Sequence, residues 1–496
     1  MIQEKNKYIT PKSKDYSQWY LDVIDAAELV DNSPVRGCIV FKPNGYAIWE
    51  NIQKILDNIF KLKGIKNSYF PLLIPKSFFE KEAKHVKGFA KECAVVTHHR
   101  LILNNKEKLI PAGLMEEPFI IRPTSEAIIS FMYAKWIHSY RDLPLMLNQW
   151  ANVVRWELRT KPFLRTTEFL WQEGHTAHAT KKEADEMTLQ MLEVYRKFVE
   201  DYLAIPAIKG IKTENEKFAG AVLTTTIEGM MQDGKALQLA TSHMLGQNFA
   251  KAFNIKFINK NSVEQYVWQT SWGMSTRIIG ALIMTHSDDK GLILPPKIAP
   301  ISIVIVPIWD KNHEKKNIMS KTKEVAAKII SETDYNVYVD ERDKRPGQKF
   351  YDWERKGIPL RIEIGPRDVK NNTIVAVRRD TGNKIDISVA NLIPQIKTLL
   401  DNIQLDLYKR ALQYREKLTF TVDSYEDLKN IFTNNKNGGF VIAHWCGSSK
   451  CETKVKEDTT ATIRCIPFDF KESQTKGKCI VCGEKTLTKV IFAKAY

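Results

Sequence analysis

Cysteine is scarce in this sequence, long apolar stretches are missing, and no tract is compositionally monotonous. Seven cysteines among 496 residues, five of them in the last tenth, are too few and too uneven for a disulfide framework, so a reducing compartment is expected. No uninterrupted apolar run approaches the roughly 18 residues of a membrane span. The opening residues, MIQEKNKYITPKSKDYSQWY, contain nothing like the apolar core of a signal peptide. Membrane insertion and secretion are not expected, and a cytoplasmic location is. With 23 glycines and 20 prolines the chain is neither collagen-like nor a linker, and it has no internal repeat.

What is present suits a folded protein: 43% hydrophobic and 27% charged residues, in a length that at roughly 150 residues per domain makes about three domains. Lys and Arg number 74 against 58 Asp and Glu, a net charge of +16 that fits a polyanionic partner but would also serve solubility alone.

Hydrophobic spacing predicts three amphipathic helices in the first part of the chain. In GYAIWENIQKILDNIFKLKG, Ile48, Ile52, Ile55, Ile59 and Leu62 recur at helical intervals, and Gly64 is placed to end the helix. A second helix opens at PTSEAIISFMYAKWIHSY, with Ile129, Tyr133, Trp136, Ile137 and Tyr140 on one face. A third, over 181–203, carries Met187, Met191, Val194, Phe198 and Tyr202. Between the last two, aromatic and β-branched runs flank a polar, proline-containing connector of about six residues, the pattern of an antiparallel pair. Residues 1–295 are read as an α+β domain on an antiparallel sheet. Three prolines in LILPPKIAP then mark a boundary. Over 296–400 strands and helices alternate, which indicates a small α/β domain with a mostly parallel sheet. Residues 401–496 hold the cysteine cluster and are read as a third, metal-braced domain.

Two groups of residues carry chemistry. Side chains alternate along a strand, so Arg155 and Glu157 share one face of the first run, and Arg165, Thr167, Phe169 and Trp171 share one face of the returning run. Guanidinium forks with an aromatic plane suit a nucleotide, since the fork binds phosphate oxygens and the ring stacks on a purine. In the last domain Cys446 and Cys451 form C-x4-C, and Cys479 and Cys482 form C-x2-C, beside Gly447 and Gly483. Four thiolates in two short turns make a closed tetrahedral site for a structural Zn2+. Cys465, in the apolar RCIPF, reads as a packing residue, and His444 is an alternative ligand.

Five ordered blocks together resemble the prolyl-tRNA synthetases, in particular the archaeal and eukaryotic branch of that class II family. They are RPTSEA at 122–127, NQWANVVRWE at 148–157, PFLRTTEFLWQEGH at 162–175, ATSHMLGQNFAKAF at 240–253 and WGMSTRIIGALIMTHSDDKGLILPP at 272–296. GPRD at 365–368 and the terminal Tyr496 agree. The resemblance implies a class II catalytic domain, an anticodon-binding domain and a C-terminal zinc-binding domain, within the boundaries given above. It also implies activation of L-proline by ATP with Mg2+ and transfer to proline tRNA.

The resemblance further implies individual roles. Arg155 would clamp the amino-acid carboxylate and the ATP α-phosphate, and Arg165 would lie on the γ-phosphate side. Phe169 and Arg277 would sandwich the adenine, with Glu157, Gln238 and Thr241 as further nucleotide contacts. Thr124 and Glu126 would receive the secondary ammonium of proline, and Phe89, Trp171, Phe218 and His243 would wall its ring. Arg155, Arg277 and Glu126 would be the catalytic set. Arg342, Lys349, Glu363 and Arg367 are the tRNA-binding candidates, from a stretch where 12 Lys and Arg outnumber 7 Asp and Glu over 341–384. A homodimer through the helix at 47–62 and Pro71 is implied in the same way. A non-catalytic tRNA-binding or sensing relic would be expected to lose the charged nucleotide contacts first, and here they are all present. A threonine enzyme would need pocket metal ligands, and the catalytic blocks hold no such Cys and His set. The separation of His175 from Gln238 leaves no room for an inserted editing domain.

Overall fold

In the computed structural model, residues 8–85, 92–309, 312–434, 438–469 and 475–496 are described. The first expected helix runs Pro43–Leu62; proline occupies its first turn, and Gly64 at φ +79° takes the left-handed conformation that follows its end. Its buried stripe is Ile48, Trp49, Ile52, Leu56 and Phe60, so Leu62 is turned out to solvent. The helix Lys181–Asp201 begins at a capping box in which Thr180 and Glu183 satisfy each other's backbone N–H groups. It buries Met187, Met191, Val194, Tyr195 and Phe198 against the main sheet.

The helix at the PTSE block is shorter than expected, Glu126–Trp136. Ile137 is extended and Tyr140 belongs to a separate turn, Tyr140–Asp142, because the Asp142 carboxylate accepts from the amides of His138 and Ser139 and starts that turn afresh.

Among the described residues the main sheet has eleven strands. One half runs Ala207–Ile211, Leu223–Met230, Ala236–Gly246, Trp268–Ser275, Glu168–His178 and Leu145–Val154, all antiparallel, with the two-residue Lys66–Asn67 added in parallel at the edge. The expected antiparallel pair is thus Leu145–Val154 with Glu168–His178, and the connector is longer than expected. Residues 155–167 leave the ladder and bond among themselves and to the N-terminal segment: Lys161 pairs with Arg165, Arg155 N donates to Thr167 O, and Thr167 N donates to Gly37 O. Arg155, Glu157, Arg165 and Thr167 therefore stand on a loop, and strand alternation governs only Phe169 and Trp171.

After residue 300 a separate five-stranded sheet is ordered Val337–Val339, Ile303–Pro307, Leu360–Ile364, Thr373–Arg378, Lys384–Ser388. Two of its pairings are parallel and two antiparallel, so it is mixed rather than mostly parallel. The cause is a direct return: Thr373–Arg378 follows Leu360–Ile364 after the short helix Pro366–Asn371, with no crossover to restore the strand direction. The long helix Leu392–Lys417 covers this sheet with Ile396, Leu400 and Ile403. The last part of the chain contributes four strands that extend the main sheet itself, joined where Ile466 pairs with Ile211 and Pro467 with Gly210.

Candidate active site

A cavity opens at the half of the main sheet formed by residues 145–275. It gathers Thr124, Glu126, Arg155, Phe169, Trp171, Phe218, Gln238, Thr241, His243 and Arg277, ten of the thirteen residues singled out for proline and ATP. Glu157 and Arg165 do not line it; they face each other across the 155–167 loop at 4.0 Å. Phe89 lies outside the described residues.

At one end of the cavity the Arg155 guanidinium gives its Nε to Pro123 O at 2.9 Å and stands about 5.4 Å and 5.5 Å from the rings of Phe169 and Trp171. Arg277 gives its Nε to Leu164 O at 3.2 Å. Burial, reinforced by Arg155 and Arg165 nearby, brings the Arg277 guanidinium down to about 10, so it remains cationic at neutral pH. Three guanidinium groups in this neighbourhood form a site for a polyanion.

At the other end, Thr124 Oγ1 donates to the buried Glu126 carboxylate. Burial raises the Glu126 carboxyl; His175 partly offsets that rise, and Glu173 adds a smaller repulsion. A cation entering beside Glu126 would remove that penalty. His243 is held near 3 by burial and by His175, so it is neutral and presents a ring rather than a charge. The Phe218 ring lies 4.8 Å from it, and Thr224 Oγ1 is 3.0 Å from His243 Nδ1.

Glu173, His175, Glu216 and Ser271 also line the cavity and were not among the expected residues. Glu173 accepts from Ser125 Oγ, from Gln149 Nε2 at 2.5 Å and from His175 Nε2 at 3.0 Å. Burial alone would raise its carboxyl, but the hydrogen bond and charge of His175 outweigh that and lower it. A signal for two of them was legible: Phe169, Trp171, Glu173 and His175 alternate along one strand and so share a face. Gln238 joins Thr241 and His243 despite its opposite parity because a bulge interrupts the register, with Ile227 opposite Ala240 and Glu228 opposite Gln238.

The four expected cysteines converge. The Sγ atoms of Cys446, Cys451, Cys479 and Cys482 all lie within 4.8 Å of one another, with 3.7 Å between Cys446 and each of Cys451 and Cys482. Tetrahedral thiolates about 2.3 Å from a common centre would be separated by about 3.8 Å. The set could therefore hold a metal ion. Burial raises the Cys479 thiol, but backbone hydrogen bonds involving Cys482, Val481 and Cys446 reverse the shift and bring it to about 7. Cys465 is fully buried outside the set, and His444 Nε2 is 2.9 Å from Thr475 O.

The tRNA candidates differ among themselves. Lys349 is buried, its Nζ given to Asp340 O at 2.9 Å. Glu363 is buried between Arg361 and Lys384. Arg342 is half-buried in ion pairs with Asp340 and Asp352, and Arg367 is exposed.

Three family models match separate parts of the chain. Residues 113–286 match the tRNA synthetase class II core domain (G, H, P, S and T), 302–399 an anticodon binding domain, and 425–496 the C-terminal part of prolyl-tRNA synthetase. Proline–tRNA ligase of Phocaeicola vulgatus is 54% identical over 99% of both chains, and that of Porphyromonas gingivalis 53% over 99% of both. Proline–tRNA ligase of Flavobacterium johnsoniae is 52% identical, covering 99% of this chain and all of its own. The chain belongs to the proline–tRNA ligase family. The cavity is lined by residues within the region matched to the class II core, and the cysteine set lies within the region matched to the family's C-terminal model. Among the described residues no helix is long and apolar enough to cross a membrane.

Proposed function

We infer that the chain activates L-proline with ATP and transfers the prolyl group to the 3' end of proline tRNA. The convergence of Glu126, Arg155 and Arg277 in one cavity, between neutral aromatic walls, carries this reading. The proline carboxylate attacks the α-phosphorus of ATP, pyrophosphate leaves, and prolyl-adenylate results. A ribose hydroxyl of the terminal adenosine then attacks the prolyl carbonyl, and AMP leaves.

Arg155, its plane set by Pro123 O, draws the carboxylate and the α-phosphate together and stabilises the charge that develops between them. Phe169 stacks on adenine with Arg277 on the opposite face, Gln238 and Thr241 hold the nucleoside, and Arg165 and Glu157 act from the loop on the outer phosphates and the base. ATP brings Mg2+ as the counter-ion of its phosphates. Thr124 and Glu126 receive the proline ammonium, and Trp171, Phe218 and His243 enclose the ring.

The four cysteine thiolates would hold Zn2+, which when bound supplies a structural cross-link. Arg342 and Arg367 are the tRNA candidates with side chains at the surface; Lys349 and Glu363 set the shape beneath them. A homodimer, a cytoplasmic location and the domain boundaries at 295 and 400 belong to the same reading. Proline-dependent exchange of pyrophosphate into ATP by the purified chain tests it. Exchange with proline but not with threonine is the expected result, and no exchange with proline would refute it.

A further inference from the structure

The wall formed by Phe218 belongs to a segment outside the sheet ladder. Strand Ala207–Ile211 leads into residues 212–218, and the stretch is fastened at both ends. At its start, Lys212 Nζ donates to Glu228 Oε1 at 2.7 Å and to Arg464 O at 2.8 Å. At its end, Phe218 N donates to Thr224 Oγ1 at 2.9 Å, the hydroxyl that also meets His243. The backbone between has few ladder partners, so its course depends on side chains.

The partner in the middle comes from the cysteine-rich module. Glu452 follows the cluster residue Cys451 on the helix Ser449–Thr459 and is buried. Its Oε1 accepts from Thr213 Oγ1 at 2.8 Å and its Oε2 from Asn215 Nδ2 at 2.9 Å. One carboxyl group thus ties two side chains of the segment. Glu216, next in sequence, lines the cavity and gives its N–H to Thr213 O at 3.1 Å.

We propose that Glu452 is a positioning residue for the amino-acid end of the cavity, holding residues 213–218 from across the joint so that Phe218 and Glu216 stand where the substrate ring requires them. The proposal rests on the proline reading above. Phe169 and Arg277, at the nucleotide end, stand on other elements, so the effect falls on the amino acid and spares ATP.

The test uses the full-length protein with its metal bound. Glu452→Ala is expected to raise KM for proline about tenfold while KM for ATP and the metal content stay unchanged. Glu452→Gln, which keeps one acceptor, is expected to lie between. Hydrogen exchange should quicken in peptides covering 213–218 and not in those around Cys446 and Cys451. Combining Glu452→Ala with Asn215→Ala should add less than the two single effects. Equal effects on proline and ATP, loss of metal, or unchanged exchange at 213–218 would each overturn the proposal. If Glu452→Ala does not fold, Thr213→Val with Asn215→Ala removes the same contacts, and a normal KM for proline there refutes it. Exchange needs no substrate, so a chain inactive with proline yet loosened at 213–218 would remove the proline reading and keep the joint.

Discussion

Arg155 and Arg277 each give Nε to a backbone carbonyl, and among the described residues neither has a carboxylate within ion-pair distance. In the unit after residue 300, four arginines are differently employed. Arg342 is held by Asp340 and Asp352, Arg361 by Glu363, Arg378 by Asp380 and Asp406, and Arg379 by Asp288. A guanidinium taken out of water without a counter-charge is costly, and it persists where a ligand brings the charge. Counting basic residues therefore locates fields, whereas following each cation to its partner locates ligand sites.

The contrast is broken most severely at Arg155. Arg155→Ala should lower proline-dependent pyrophosphate exchange on the order of a hundredfold or more, with little change in Tm. Arg378→Ala should do the reverse, leaving exchange intact while thermal unfolding shows a loss of roughly 1–3 kcal/mol, because the buried Asp380 carboxylate is left with Arg410 alone. Similar exchange in both variants would dissolve the distinction.

The cysteines make the same contrast in sulfur. Cys479→Ser should lower the metal content and the melting temperature of the final module, whereas Cys465→Ser should keep the metal, with a buried hydroxyl costing about 1–3 kcal/mol. Elemental analysis of the purified variants separates the outcomes; metal kept in Cys479→Ser and lost in Cys465→Ser would reverse the ligand set.

A smaller effect concerns what the cavity's charges cannot do. Alanine carries the same carboxylate and an ammonium, so its rejection depends on the Trp171, Phe218 and His243 walls. Each missing methylene gives only about 10- to 200-fold discrimination. Alanine should be activated weakly but measurably, and alanylated proline tRNA should survive incubation with the purified chain. Its rapid hydrolysis would reveal an editing site.

The smallest expected effect is on pH-dependent stability. Burial first, then Glu173, raises the folded Glu126 carboxyl above its ordinary 4.5. The folded state then retains a proton that the unfolded chain releases, so this group's contribution to stability falls as pH rises from 4.5 toward its folded value. Glu126→Gln should remove that loss, and its Tm should gain on the parent by up to a few degrees toward neutral pH. A Tm difference independent of pH would contradict the burial argument.

Much of the cavity was legible because its residues sit in contiguous blocks. Trp171 and Phe169 follow from strand period, and the four cysteines from two tight turns. The position of Arg155 was legible and its local structure was not: alternation placed it on a strand, whereas the ladder ends at Val154 and Glu168 because Thr167 N turns away to Gly37 O. Glu173 and His175 carried a readable period-2 signal. Ser271 and Glu216 carried none: pairing with His243 turns Ser271 toward the cavity, and the course of the off-ladder segment 212–218 sets Glu216.

Local spacing by itself determined the amphipathic helices, the two close cysteine pairs and the identities of the charged and aromatic groups, because each depends on residues close together along the chain. Tertiary structure alone decided that four strands from the last part of the chain extend the main sheet through Ile466 and Ile211, that the sheet after residue 300 is mixed, and that Glu452 meets Thr213 and Asn215. Those outcomes depend on strand edges and carboxylates finding partners more than two hundred residues away, and no local pattern records which partner satisfies them.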